Sequence, residues 1–154
     1  MKPLKYVERM ESQINIILKG TPTEWNQPKA SVWTADNHNI AMKICSKQDV
    51  YELLDSQSTI TKIIKNNPNE FVVLTCGWAA PIDSNEDTEN MVRPSEHKEK
   101  RRVRLVIGAT KNGVASVLRF QDNPNEIVTN EDTARGSLAD AIKQLHTTIK
   151  EMGN

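Results

Sequence analysis

The sequence predicts an α+β fold in which three helices flank a five-stranded, mostly antiparallel sheet, in the order α-β-β-α-β-β-β-α. Three observations carry that expectation. Apolar residues recur at three- and four-residue steps in three separate stretches, the spacing that gathers side chains on one side of a helix. Phe71 to Cys76 is almost wholly apolar, as in a strand covered on both faces. Asn112-Gly113 stands between two alternating apolar runs, the strongest short-range signal for a β-hairpin. A chain of 154 residues has the length of one domain and needs neither disulfides nor a metal to support its core.

The first element is a helix. Pro3 suits a first-turn position, and Leu4, Val7, Met10, Ile14, Ile17 and Leu18 fall on one face before Gly20 closes it. Pro22 and Pro28 then block helix and ladder alike, so Thr21 to Lys29 is expected as a surface connection, with Trp25 a plug or a contact. Ser31 to Ala35 and Asn39 to Ile44 read as two short strands around Asp36-Asn37-His38, whose Asp and Asn tolerate turn conformations. Ser46 with Asp49 resembles a capping box and opens a helix carrying Val50, Leu53, Leu54, Ile60, Ile63 and Ile64. Gln57 interrupts that face, so the helix is expected to kink or split near Asp55 to Ser58. Pro68 ends it, because the residue before proline avoids the helical region.

Phe71 to Cys76 belongs in the middle of the sheet, followed by Gly77-Trp78 and a polar excursion over residues 82 to 100. Val103 to Thr110 and Val114 to Phe120 form the hairpin around Lys111-Asn112-Gly113. Asp122 to Gly136 reads as an acidic, turn-rich connection. Ser137 with Asp140 starts the last helix, with Leu138, Ala141, Ile142, Leu145, Ile149 and Met152 on its apolar stripe and His146 on its polar side. This element order resembles the roadblock, profilin and GAF-like group of folds. That group hosts dimerisation modules, actin binders and small-molecule sensors, so the resemblance implies a sheet with helices on both faces and no particular activity.

Twenty basic residues against twenty acidic ones leave no bulk attraction for nucleic acid or anionic lipid, so such binding requires local clustering. Cys45 and Cys76 lie in or beside apolar runs without metal-ligand spacing and read as buried, reduced thiols. No secretory segment opens the chain and no apolar run approaches the about 20 residues that span a bilayer, so a cytoplasmic protein without membrane contact is expected. His38, His97 and His146 are far apart, and the run Asp83, Glu86, Asp87, Glu89 lacks the spacing of a calcium loop. No metal or cofactor is expected.

The residues that hold functional interest surround the excursion. Arg93, Ser95 and His97, with Arg101 and Arg102, carry the groups that bind an anion: guanidinium forks for phosphate or carboxylate, a hydroxyl, and an imidazole that titrates near neutrality. Arg102 and Arg104 alternate with Val103 and Leu105 and form one basic stripe, which Arg119 on the paired strand extends. The opposing reading is a solvated charge run, or arginines paired with the molecule's own acidic loops. Trp78 lines a pocket at the strand's end in one reading and is a core or lid residue in the other.

At Gly77-Trp78-Ala79-Ala80-Pro81, Arg93-Pro94-Ser95-Glu96-His97, Arg101-Arg102-Val103-Arg104-Leu105, Ser116-Val117-Leu118-Arg119-Phe120 and Gly136-Ser137-Leu138-Ala139-Asp140-Ala141, the second half of the chain resembles small uncharacterised accessory proteins encoded by bacterial viruses and some bacteria. The resemblance implies an intracellular accessory protein of viral or mobile-element origin and supplies no catalytic residue. The expectation is therefore a non-enzymatic binding or regulatory module. It would contact a protein partner or an anionic ligand through Trp78, Arg93, Ser95, His97, Arg101, Arg102 and Arg104, with a homodimer expected by analogy. Nucleic-acid binding by the same stripe, and phosphate chemistry with His97 as acid or base, are the alternatives.

Overall fold

The structure is a computed structural model that describes residues 2–27, 30–36, 39–45, 54, 56–66, 69–80, 96, 98–131 and 137–152. Helix α1 spans Pro3–Leu18, strands β1 and β2 span Ser31–Asp36 and Asn39–Cys45, and helix α2 spans Gln57–Asn66. Strands β3 (Phe71–Ala79), β4 (Arg101–Thr110), β5 (Gly113–Phe120) and β6 (Ile127–Glu131) follow, and helix α3 (Ser137–Met152) ends the series. One antiparallel sheet holds all the strands in the order β2-β1-β3-β4-β5-β6. The three helices and five strands expected from the sequence are present in the expected order. A sixth strand, β6, adds to the edge from within the stretch read as a turn-rich connection; its five residues were too short a run to stand out between acidic neighbours.

Alternation along the strands divides the core in two. Val72 and Leu74 of β3, Val106 of β4, and Ala115 and Val117 of β5 point to the face that α1 covers with Tyr6, Val7, Met10, Ile14 and Leu18. Phe71 and Val73, Ile107 and Ala109, and Val114 point the other way, toward Ile60 and Ile63 of α2 and Ile142, Leu145 and Ile149 of α3. Phe71 through Leu74 are fully buried, because β3 sits inside the sheet with a helix layer on each side. Burial of each such side chain contributes about 1.5–3 kcal/mol.

α1 has Pro3 in its first turn and ends where Lys19 N–H donates to Asn15 O at 3.1 Å, with Gly20 at φ 79°. Ile17, expected on the packed face, is 50% exposed, whereas Leu18 in the same turn is buried in the α1-side core. The expected cap at Ser46 and Asp49 lies outside the described residues. The interruption expected near Gln57 falls at Ser56, which is not helical while Leu54 and Gln57 are, and Ser56 O accepts the Ile60 N–H at 3.0 Å. In the hairpin Thr110 pairs with Gly113, so Lys111 and Asn112 form the tip and Gly113 takes φ 139°. β3 runs on through Ala79, which places Gly77 and Trp78 inside the strand instead of after it.

Candidate partner-binding site

β3 and β4 pair without interruption from Phe71 opposite Ala109 to Ala79 opposite Arg101. That register sets Trp78 beside Arg102 and Cys76 beside Arg104, while β5 sets Arg119 beside Arg104. By alternation all five side chains belong to the α1 face, beyond the apolar row of Val72, Leu74 and Val106. The basic stripe expected from the sequence therefore exists as a stripe. It is not an exposed one.

Arg104 is completely buried and Arg119 nearly so, because α1 and the segment after it cover this end of the sheet. Glu11, itself buried on the α1 stripe between Val7 and Ile14, takes Arg119 in a two-pronged contact: Nε to Oε2 and Nη2 to Oε1, both 2.7 Å. Arg104 Nη2 stands 3.7 Å from the same carboxylate and also donates to Asn15 Oδ1. Its Nη1 donates to Glu24 O at 3.0 Å, and its guanidinium lies 4.6 Å from the centre of the buried Trp25 ring. Burial pushes the Arg104 pKa down, with Glu11 opposing; the hydrogen bonds to Glu11 push that of Arg119 up. Both stay charged. Arg102 Nε donates to Trp25 O at 2.8 Å. These arginines hold residues 24 and 25 over the sheet, and Arg104 is removed from any exterior contact surface.

Arg101 points to the other face. Its guanidinium donates to Asp122 Oδ2 at 2.8 Å and to both Glu126 oxygens at 3.1 Å, and it stacks 3.9 Å over the Phe120 ring. The pair holds the Asp122 and Glu126 carboxyls below their usual range. An apolar cavity of about 220 Å³, lined by Ala79, Ala80, Arg101 and Phe120, opens at this corner. Arg101 thus pairs with an acidic connection of its own chain, as one of the two sequence readings allowed.

Trp78 remains at the surface. It is 39% exposed, whereas Trp25 and Trp33 are buried. Lys100 Nζ lies 4.5 Å and Arg102 Cζ 5.0 Å from its ring centre, so an aromatic ring on a nine-residue strand has two cations over it. Each such contact contributes about 0.5–1 kcal/mol at an exposed site and fixes the ring's orientation. Arg93, Ser95 and His97 lie outside the described residues. Cys76, expected to be buried, is half-buried and free, and desolvation raises its thiol pKa against the fields of Arg102 and Arg104.

Sequence reasoning missed Glu11 and Asn15, whereas Lys100 closes the Arg93 to Lys100 loop that it had put on the contact surface. Glu11 did leave a signal, since it interrupts the spacing of Val7, Met10 and Ile14, and a carboxylate on an apolar stripe calls for a buried cation. His146, read on the polar side of its helix, is buried against Phe71 with Nε2 3.2 Å from Asn69 O. Its position flanks Ile142 and Ile149, and a wide apolar stripe takes it in. Among the described residues no three His, Cys, Asp or Glu side chains gather as a metal requires, and no described helix is long and apolar enough to cross a membrane. No protein-family model, curated protein or solved structure matches the chain.

Proposed function

We propose that this protein is a non-enzymatic binding module that docks an acidic segment of a protein partner on Trp78 and its two cations. The observation that carries the reading is the exposed Trp78 ring with Lys100 and Arg102 set over it. Tryptophan and arginine dominate the energetics of protein interfaces, and a ring oriented before contact loses little entropy on binding. Cations beside the ring favour a carboxylate next to an apolar side chain.

A protein partner fits better than a nucleic acid. Arg104 is buried and Arg119 largely covered, both paired with Glu11, and Arg101 is paired with Asp122 and Glu126, so three of the arginines in this region are engaged within the chain and do not form a phosphate track. Single-strand binding also relies on several stacking rings, and Trp78 is the one exposed tryptophan.

The test places a photoreactive phenylalanine analogue at position 78 in cells that produce the protein naturally and identifies what is cross-linked. With that partner purified, Trp78→Ala and Lys100→Glu should each weaken binding about tenfold or more. Cross-linking to nucleic acid, with affinity falling steeply as salt rises, would transfer the site to the alternative reading. Unchanged affinity in both variants would remove the site from consideration.

A further inference from the structure

We propose that β6 is a self-association edge, through which two copies of the chain pair antiparallel about a two-fold axis at Val128. This surface is separate from the Trp78 site and independent of the function proposed for it. β6 ends the strand order, and no described strand lies beyond it. Its ladder with β5 runs from Arg119 opposite Ile127 to Ala115 opposite Glu131 with no shift of register. Proteins guard free edges with proline, lysine, bulges or covering elements. Ile127–Glu131 contains no proline, no lysine and no bulge, and it exposes Ile127 at 42% and Val128 at 46%, one on each face of the sheet.

Symmetry narrows the pairing to few registers. A two-fold axis that joins one edge to itself antiparallel stands perpendicular to the sheet, so the α1 side of one copy continues as the α1 side of the other. Residues facing each other must then share a side, which requires the axis to pass through a residue position. An axis at Thr129 sets Ile127 against Glu131 of the second copy. An axis at Ile127 sets Val128 against Glu126 and brings in Pro124, which has no N–H to donate.

An axis at Val128 avoids both faults. Val128 meets Val128, Ile127 meets Thr129, and the carboxylates of Glu126 and Glu131 fall opposite the amides of Asn130 and Asn125, so no like charges face each other. The register within one copy adds continuity. Thr75, Leu105, Leu118 and Val128 form one row across β3, β4, β5 and β6 on the α3 side, all at least partly exposed. Pairing at Val128 carries that row on into the second copy.

Seven facing positions per copy, 125 to 131, still make a small interface, below the about 1,600 Å² of a standard one, so a Kd on the order of micromolar is expected. Sedimentation equilibrium of the purified chain at about 100 µM should show a dimer, and Val128→Asp, an exposed substitution whose folding circular dichroism checks, should leave a monomer. Under mild oxidation Val128→Cys should give a dimer bridged at position 128 in both chains by peptide mass mapping, because directly opposed Cβ atoms lie within about 5.5 Å. Thr129→Cys places its two thiols on a diagonal and should bridge far more slowly. A monomer at that concentration, a dimer that survives Val128→Asp, or faster bridging at position 129 than at 128 would each overturn the proposal.

Discussion

Glu11 neutralises Arg119 and helps neutralise Arg104, both carried on strands more than ninety positions away in sequence, and Arg104 Nε still has no hydrogen-bond partner among the described residues. A buried cluster of this kind contributes little net stability when complete and costs heavily when a member is lost, since the remaining charges stay desolvated. Glu11→Gln should therefore destabilise the protein by about 3–5 kcal/mol in urea titration. Asp122→Asn, at the solvent-exposed Arg101 pair, should change the same curve little, because water screens that contact. Equal midpoints for Glu11→Gln and wild type would contradict the cluster. At this scale the sequence revealed that Arg102 and Arg104 share a side of their strand, a consequence of the two-residue period. It did not reveal what lies over that side, because Glu11 reaches it only when α1 packs on β4 and β5.

Among the elements, α1 approaches β4 closely at Gly108. A Cβ there would stand 2.6 Å from Val72 Cγ1 and 2.9 Å from both Phe71 O and Val7 Cγ2. The strand partner and the helix would have to move apart, so Gly108→Ala should cost about 1–3 kcal/mol, read as a lowered urea midpoint at an unchanged slope. An unaffected midpoint would show that the layers have slack. The helices and strands themselves were legible because each has a strong local signal: Pro3 and Gly20 bound α1, Asn112-Gly113 turns the hairpin, and Pro68 follows α2. β6 was not, since Ile127-Val128-Thr129 has no alternation to distinguish it and becomes a strand by pairing with β5. Trp78 was placed beyond its strand for a related reason: glycine at 77 looks like a terminator, yet β4 continues the ladder past it.

The whole molecule has an acid-sensitive joint where α3 meets the turn before β3. His146 is buried there and desolvation lowers its pKa from the ordinary 6.5, so the folded protein holds a neutral imidazole. Below about pH 6.5 the unfolded chain binds a proton that the folded chain refuses, and stability falls as pH drops toward the lower folded value. Asp122 and Glu126, whose pKa values are depressed, lose their contribution only at more acidic pH, which separates the two effects. Wild type should lose thermal stability between about pH 7.5 and 5.5 by more than His146→Gln does; parallel curves would contradict the assignment.

The amino-acid order alone determined the α+β class, the succession of helices and strands, the central place of Phe71 to Leu74, and the pairing of Arg102 with Arg104 on one face. These follow from periods of 3.6 and 2 residues and from local turn chemistry, which act over a few neighbours. Only the tertiary structure decided that Arg104 is interior, that Arg101 belongs to Asp122 and Glu126, that His146 is buried, and that Trp78 with Lys100 remains outside. Those outcomes depend on which layer covers which end of the sheet, and burial of a charge is set by partners distant in sequence.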